Sequence, residues 1–198
     1  MILDVEAAAQ RLAAGEVVAY PTETVYGLGV DAGSNAALAR LYQLKGREPA
    51  RALSVLVPDL AGLERLVPQL PDVAKKLGRC FWPGPLTLVV AVAGEEFSLV
   101  SSAYGVGFRC SAHPTAQALA RASERPVIAT SCNRSGAAPC RNPEQIQQAF
   151  GSELPIVSGE PAGGLEPSTV VAVASSGRTL LLREGSIPYT RLLEELAA

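Results

Sequence analysis

Residues 86–92 read LTLVVAV, an apolar run of strand length interrupted only by the hydroxyl of Thr87. A strand with one face in solvent alternates apolar and polar residues, whereas an unbroken apolar run is typical of a strand buried on both faces. The sequence WPGP at 82–85 precedes the run and marks a rigid turn. We therefore predict a strand that is buried on both faces of a sheet.

Strand and helix patterns alternate on both sides of this run. The predicted strands cover residues 16–20, 25–30, 52–57, 86–92, 105–110, 126–130, 155–157, 169–173 and 179–182. The predicted helices cover residues 5–14, 35–45, a short segment after Asp59, 72–77, 114–122, 143–150 and 188–196. Because the two patterns are interleaved without a shift in composition, we predict one α/β domain over residues 1–198 with a mixed sheet.

Composition excludes several classes of protein. Of the 198 residues, 48% are apolar and 18% are charged, which excludes a disordered, highly charged chain. The sequence contains no apolar run of about 18 residues, so we predict no transmembrane helix and no membrane partner. The N-terminal sequence MILDVEAAAQR lacks the basic start of a secretory signal, and we therefore expect a cytoplasmic protein.

The cysteines and the single histidine do not have metal-ligand spacing. Cys80, Cys110, Cys132 and Cys140 form no C-x-x-C pair, and His113 precedes a proline that is typical of a helix start. We therefore predict no protein-bound metal and expect four small buried thiols in a reducing compartment.

Positive charge is concentrated in two stretches of an otherwise acidic chain. The net charge is −2, which argues against a general nucleic-acid binder. Residues 40–51 nevertheless contain four cations and one glutamate, and residues 101–141 contain five arginines and one glutamate. Such clustering favours focused binding of an anion.

Common nucleotide and hydrolase motifs are absent or weak. The spacing Gly27-x-Gly29-x-x-Ala32 matches the dinucleotide fingerprint, but no clean strand precedes it and no acidic residue follows at the required distance. The sequence contains neither a G-x-x-x-x-G-K-[ST] loop nor a G-x-S-x-G elbow. The chemistry must therefore lie in other polar residues.

Four polar clusters lie at the ends of predicted strands or helices: residues 22–24 (TET), 45–51 with Lys45, Arg47 and Arg51, 131–136 (SCNRSG), and Ser168 before one strand with Arg183 at the end of the next. Each has an ordinary alternative, since such residues also cap helices, form turns, complement helix dipoles or lie at solvated edges. Together they favour a polyanionic ligand. This pattern is typical of an enzyme that uses a nucleotide, and equally of a passive module that binds RNA or a nucleotide.

At these clusters the sequence resembles the YrdC/TsaC family of threonylcarbamoyl-AMP synthases. The matching segments are, in order, YPTETVYGLG (20–29), KGR (45–47), WPGPLTL (82–88), GVGFRCSAHP (105–114), TSCNRSG (130–136), STVV (168–171) and REGSI (183–187). The resemblance implies a YrdC-like α/β fold, in which a twisted mixed sheet with flanking helices surrounds a deep basic cavity.

The same resemblance implies the reaction. L-Threonine, bicarbonate and ATP, with accompanying Mg²⁺, would form threonylcarbamoyl-AMP and pyrophosphate. The product would serve threonylcarbamoyladenosine modification of tRNA, with tRNA and the downstream threonylcarbamoyl-transfer proteins as partners. Two alternatives remain open, a non-catalytic RNA-binding paralogue and a different carbamoyl-adenylate enzyme of the kind used in hydrogenase maturation.

The resemblance also implies residue roles. Thr24, Arg109 and Ser168 would bind threonine. Lys45 and Arg47 would hold the phosphates and support the reaction. Ser131, Asn133 and Arg183 would bind the adenylate, with Arg51 near ATP. Two positions depart from the usual pattern: Cys132 stands where the family usually has alanine, and Leu56 stands where some members have histidine.

Overall fold

Residues 86–90 of the predicted strand 86–92 lie inside a ten-stranded mixed sheet in the computed structural model, which describes residues 1–46, 53–94, 97–159 and 166–198. The strand is two residues shorter than predicted, and Ala91 directly after it is exposed. The strands are β1 Ile2–Leu3, β2 Val18–Tyr20, β3 Gly27–Asp31, β4 Ser54–Leu56, β5 Leu86–Val90, β6 Val106–Arg109, β7 Val127–Ser131, β8 Ile156–Val157, β9 Thr169–Val173 and β10 Thr179–Arg183. The helices are α1 Val5–Ala13, α2 Asn35–Lys45, α3 Leu60–Leu66, α4 Asp72–Phe81, α5 Pro114–Ala122, α6 Pro143–Phe150 and α7 Tyr189–Ala197, with a 3₁₀ turn at Ser98–Val100.

The sheet is mixed, as predicted. Its strand order is β1-β8-β2-β3-β7-β4-β6-β5-β9-β10. The sheet combines parallel pairs, such as β4 with β6 and β5 with β9, and antiparallel pairs, such as β5 with β6. All five residues of β5 are buried, which confirms the prediction for this strand. Its parallel pairing with β9 and antiparallel pairing with β6 place it inside the sheet.

Helices cover both faces of the sheet and create two separate apolar layers. Residues of α1 and α5, including Leu12 and Leu119, form the smaller layer with Tyr20 of β2. The larger layer contains buried residues of the other five helices, such as Leu41 of α2 and Leu77 of α4. Because successive side chains of a strand point to opposite faces, neighbouring residues of one strand enter different layers.

Side chains directly before four of the helices cap their first turns. The side chains of Asp4, Ser34, Asp59 and Asn142 each accept a hydrogen bond from a backbone N–H in the first turn of α1, α2, α3 and α6, respectively. Helix α5 begins at Pro114 with His113 as its N-cap, as the sequence predicts. Gly46 ends α2 in the left-handed conformation.

Other details differ from the sequence predictions. Helix α4 continues to Phe81, about one turn beyond its predicted end, and strand β1 was not predicted. Strand β1 pairs only with β8, which is more than 150 residues away in sequence, so no local pattern reveals it. Cys80 is exposed, which corrects the expectation of four buried thiols. None of the helices in the described part of the chain is long and apolar enough to cross a bilayer.

The glycines of the apparent dinucleotide fingerprint serve packing inside the sheet. Gly27 lies in β3 opposite Tyr20 of β2, and a Cβ atom at Gly27 would lie 2.8 Å from the Tyr20 ring. A Cβ atom at Gly29 would lie 3.1 Å from the same ring. Both glycines lie within a strand and do not open a helix, so the segment lacks the strand–turn–helix geometry of a Rossmann site.

Gly105 is a position where backbone conformation and close packing both require glycine. Its φ is +113°, and a Cβ atom there would lie 2.1 Å from the Val90 carbonyl oxygen. Gly46 also has a positive φ, +59°, but a Cβ atom there would meet nothing within 4 Å among the described residues. Substitutions at these two glycines therefore distinguish the free-energy cost of a left-handed backbone conformation from that of a steric clash.

We expect Gly105→Ala to destabilise the fold much more than the control Gly46→Ala. Gly46→Ala should lower the free energy of unfolding by about 1–2 kcal/mol, the cost of the left-handed conformation. Gly105→Ala should lower it by at least about 3 kcal/mol, because the backbone of β5 must also move. Urea denaturation of both variants measures this, and equal losses would contradict the close approach.

Candidate active site

One cavity of about 580 Å³ opens among the strands from β2 to β10. The charged side chains among its described lining residues are Arg109, Arg141 and Arg183, and none of those lining residues carries a carboxylate. Hydroxyl groups surround these arginines. They belong to Thr22, Thr24, Ser54, Thr87, Ser102, Ser111, Thr130, Ser131, Ser168 and three tyrosines. The described lining is thus rich in cations and hydrogen-bonding groups and suits an anionic ligand.

Arg109, the last residue of β6, is fixed by the segment that follows β2. Its Nη2 donates to Glu23 Oε1 and to Thr24 Oγ1, each at 2.8 Å. Its Nε is buried and has no hydrogen-bond partner among the described residues. An unsatisfied buried donor is costly, and a ligand oxygen is one group that would satisfy it.

The Thr22–Val25 segment forms a compact turn that presents Thr24. Thr22 Oγ1 lies 3.1 Å from Thr24 Oγ1, donates to the carbonyl of Val25 at 2.5 Å, and accepts from the Thr24 backbone N–H at 3.2 Å. Both threonines are buried as residues, yet both line the cavity. The capping-turn interpretation and the binding interpretation of this cluster are therefore compatible.

Ser168 lies beside Thr87 of β5 and Arg183 of β10. The hydroxyls of Ser168 and Thr87 are 2.9 Å apart. Arg183 Nη2 donates to the Ser168 carbonyl at 2.8 Å and to its hydroxyl at 3.1 Å. A Cβ atom at Gly185 would lie 2.2 Å from the Pro167 carbonyl oxygen, so glycine permits this close approach of the two segments.

The loop after β7 is held by Lys45, at the end of α2. Lys45 Nζ donates to the carbonyl of Ser131, and to the carbonyl and Oδ1 of Asn133 at 2.9 and 3.1 Å. Ser131 Oγ donates to Asn133 Oδ1 at 2.6 Å, and Asn133 Nδ2 donates to the Ala137 carbonyl at 2.7 Å. Ser131 and Asn133 thereby line the cavity in a braced conformation.

The position of Lys45 corrects one sequence-based expectation. A cation at a helix C-terminus is ordinarily solvated, but Lys45 is only 2% exposed. Lys45 is also not among the described lining residues of the cavity. Arg47 and Arg51, the other two cations of that cluster, lie outside the described residues.

The structure brings six predicted residues to this one cavity: Thr24, Arg109, Ser131, Asn133, Ser168 and Arg183. Sequence reasoning missed Thr87, Ser111 and Arg141, which line the same cavity. Thr87 is the one polar residue in the apolar run of β5, and this interruption was the sequence feature that could have indicated its place in the cavity wall. Arg141 was counted only as part of a basic stretch, because a loop residue gives no periodic signal.

Burial and neighbouring charges shift several pKa values around the cavity. Burial would raise the pKa of Glu23, but the charge of Arg109 and hydrogen bonds from Arg109 and Ser111 together lower it. Partial burial of the guanidinium, followed by the like charge of Arg109, lowers the pKa of Arg183. Burial raises the pKa of Tyr20. The Glu23 carboxylate is thus stabilised as an anion.

Cys132 and Cys140 form a buried pair beneath the loop. The Cys140 N–H donates to the Cys132 carbonyl at 2.7 Å. A hydrogen bond from Cys132, opposed by burial and aided by the charge of Lys45, lowers the pKa of the Cys140 thiol. The same hydrogen bond, together with burial, raises the pKa of Cys132.

The described residues do not fit a protein-held Mg²⁺ ion. No group of three or more His, Cys, Asp or Glu side chains converges within residues 1–46, 53–94, 97–159 and 166–198. Magnesium prefers carboxylate and phosphate oxygens, and no described lining residue supplies a carboxylate.

Comparison with known proteins extends these observations. The sequence model of the Sua5/YciO/YrdC family, described as "Telomere recombination", matches residues 10–185. The chain is 37% identical over 161 residues to the threonylcarbamoyl-AMP synthase of Serratia proteamaculans, which covers 78% of this chain and 84% of that protein. It is 38% identical over 183 residues to the threonylcarbamoyl-AMP synthase of Bacillus subtilis. That match covers 91% of this chain and 53% of the Bacillus protein.

The fold is similar to that of P. abyssi Sua5 in its crystal structure complexed with L-threonine. The TM-score is 0.88 at 30% sequence identity, over 99% of this chain and 61% of that one. The chain thus spans only part of the length of this relative and of the Bacillus relative. The family match, the identities and the shared fold agree, and the chain therefore belongs to the Sua5/YciO/YrdC family.

Proposed function

We propose that this chain is an enzyme that synthesises threonylcarbamoyl-AMP from L-threonine, bicarbonate and ATP and releases pyrophosphate. The observation that carries the proposal is a cavity lined by three arginines and many hydroxyls, with no carboxylate among its described lining residues. The similarity to the Serratia synthase and to the P. abyssi protein crystallised with L-threonine supports it. The product would serve tRNA modification in the cytoplasm through downstream transfer proteins.

Arg109, Thr24 and Ser168 form the proposed threonine end of the cavity. A free amino acid carries a carboxylate, and a guanidinium on a rigid strand is well suited to pair with it. Arg109 has this position at the end of β6, with one nitrogen already hydrogen-bonded to Thr24 Oγ1. The hydroxyls of Thr24 and Ser168 would orient the polar groups of the bound threonine.

Ser131, Asn133 and Arg183 form the proposed adenylate end. The first two line the cavity from the loop that Lys45 holds, and Arg183 reaches it from β10. Lys45 and Arg47 would hold the phosphates, with Arg51 near ATP. For Lys45 this role requires its ammonium group to exchange at least one of its loop contacts for a phosphate oxygen.

The proposed reaction needs no nucleophile from the protein. The threonine amine and bicarbonate form the carbamate with loss of water. A carbamate oxygen then attacks the α-phosphorus, a new O–P bond forms, and the bond to the β-phosphate breaks to release pyrophosphate. Both reactants are anions, so positioned guanidinium groups offset their repulsion and the charge that develops on the leaving group.

A product assay tests this proposal against the RNA-binding alternative. The protein is incubated with MgATP, bicarbonate and each amino acid in turn, and chromatography with mass detection follows the adenylate while a coupled assay follows pyrophosphate. We expect both products with L-threonine. Tight RNA binding without product from any amino acid would overturn the proposal and favour a non-catalytic module.

We predict that Arg109→Ala weakens threonine binding selectively. Hydrogen bonds to charged groups contribute about 1.5–3 kcal/mol, so the dissociation constant for threonine should rise roughly 10- to 150-fold. The affinity for ATP should change much less. Arg121→Ala is the matched control, since Arg121 lies on α5, is not among the described lining residues, and donates to Gln117 at an exposed site. Calorimetric titration of both variants measures this, and unchanged threonine affinity in Arg109→Ala would remove the assignment.

We predict that L-threonine is preferred over L-serine by a moderate factor. The two amino acids differ by one methyl group, which a small apolar patch discriminates by about 1–3 kcal/mol, or roughly 10- to 200-fold. Leu56 and Val170 supply apolar lining in the cavity. Serine should therefore be a weak substrate in steady-state measurements of kcat/KM. Equal values of kcat/KM for the two amino acids would contradict the pocket assignment.

We predict that Lys45→Ala reduces both ATP consumption and stability. The substitution leaves carbonyl oxygens of Ser131 and Asn133 without their ammonium donor, which costs about 1–3 kcal/mol for each buried group left unsatisfied. Lys75→Ala is the control, because Lys75 only pairs at 3.3 Å with the exposed Asp72 on one helix. Thermal denaturation and pyrophosphate release measure the two effects. A fully stable Lys45→Ala variant would show that the loop does not depend on this lysine.

A further inference from the structure

Glu23 contacts Arg109 although it does not line the cavity itself. Among the described residues, Arg109 is part of the cavity wall and Glu23 is not. Glu23 Oε1 accepts from Arg109 Nη2 at 2.8 Å, and Glu23 Oε2 accepts from the Ser111 hydroxyl. The Ser111 oxygen in turn accepts from the His113 backbone N–H at 3.2 Å. Both oxygens of the Glu23 carboxylate are therefore engaged by side chains that line the cavity, while Glu23 itself does not line it.

The Arg109–Glu23 ion pair is largely buried. The Arg109 and Glu23 side chains are 17% and 18% exposed. A surface ion pair contributes little, but a buried charge that loses its partner is strongly disfavoured. Arg109 also lies near enough to Arg183 for its charge to lower the pKa of that guanidinium. Glu23 is thus a negative charge placed beside a cavity wall that is otherwise cationic.

The Arg109–Glu23 ion pair also fixes the orientation of the guanidinium. Nη2 makes both of the hydrogen bonds found for Arg109, one to Glu23 and one to Thr24. Nε has no partner among the described residues. Because Arg109 lines the cavity, a ligand carboxylate would meet a guanidinium that Glu23 and Thr24 already fix at Nη2. A guanidinium that is already fixed loses little conformational entropy when a ligand binds.

We infer that Glu23 is a positioning residue that holds the Arg109 guanidinium in the orientation needed to receive the carboxylate of the amino-acid substrate. This inference rests on the proposed function. A role as proton acceptor fits the geometry less well, because both carboxylate oxygens are already engaged and the residue does not line the cavity. The lowered pKa of Glu23 is consistent with a carboxylate that remains ionised.

A purely structural salt bridge would have a different signature. Loss of such a bridge would lower stability and would affect threonine and ATP alike. Loss of a positioning residue should act on the one ligand that needs Arg109. The carboxylate-free analogue L-threoninamide provides a second distinction, because its binding should depend little on the orientation of Arg109.

The test uses Glu23→Ala and Glu23→Gln with Glu16→Gln as the matched control. Glu16 also pairs with an arginine, Arg11 at 2.9 Å, but it is more exposed and lies outside the cavity lining. Calorimetry measures the dissociation constants of L-threonine, L-threoninamide and ATP. Steady-state assays measure the corresponding KM values, and thermal denaturation measures stability.

We expect Glu23→Ala to weaken L-threonine binding on the order of 10- to 100-fold, the cost of misplacing a group that orients a substrate. Its affinity for L-threoninamide and its KM for ATP should stay within about twofold of wild type, a difference small enough to be treated as unchanged. Glu23→Gln should show a smaller loss in the same direction, because the amide oxygen still accepts from Arg109. Glu16→Gln should match wild type for all ligands.

Two results would overturn the inference. Unchanged threonine affinity in a folded Glu23→Ala protein is the first, and equal losses for threonine, threoninamide and ATP are the second. If Glu23→Ala does not fold, Glu23→Gln decides by the same two criteria, since it preserves the shape of the side chain. Failure of the proposed function looks different: the wild-type protein itself would neither bind threonine nor form an adenylate with any amino acid.

Discussion

The arrangement of the site depends on one constraint, that cationic groups withdrawn from bulk water need acceptors. Lys45 meets it with oxygens of the loop after β7, and Arg109 meets it with Glu23 and Thr24. Arg183 uses the carbonyl and hydroxyl of Ser168. The contacts of Lys45 and of Arg109 all join residues more than 80 positions apart in the chain, so satisfying these two cations also brings together segments that form the cavity.

Charge distribution follows from the same constraint. The chain carries a net charge of −2, yet the charged groups among the described lining residues are arginines. Anions bind most strongly where cations are fixed and competing carboxylates are kept away. Glu23 fits this arrangement because it compensates Arg109 without lining the cavity. An acidic protein can therefore present a cationic cavity, and composition alone conceals that difference.

Local features of the fold were predictable, and long-range features were not. Asp4, Ser34 and Asn142 cap helices where the sequence indicates, because capping needs only residues within one turn. The burial of β5 follows from its apolar run. The pairing of β1 with β8 depends on distant residues and leaves no local pattern. For the site, strand-end hydroxyls and arginines indicated an anion, and the resemblance supplied individual roles. Neither the strand-end pattern nor the resemblance indicated that Lys45 is buried or that Glu23 forms an ion pair with Arg109.

The two ends of the cavity are built in different ways, and this difference has a mechanical consequence. Arg109 and Thr87 belong to neighbouring strands of the sheet interior, where backbone hydrogen bonds on both sides restrict movement. Ser131 ends a strand and Asn133 lies in the loop beyond it, so their placement depends on side-chain contacts from Lys45. The proposed threonine end is therefore preorganised by the sheet, whereas the loop at the proposed nucleotide end is held by a cation that bound phosphates would also attract. Binding of a polyphosphate would compete with the loop for Lys45, so the conformation of residues 131–133 should respond to the nucleotide more than to the amino acid.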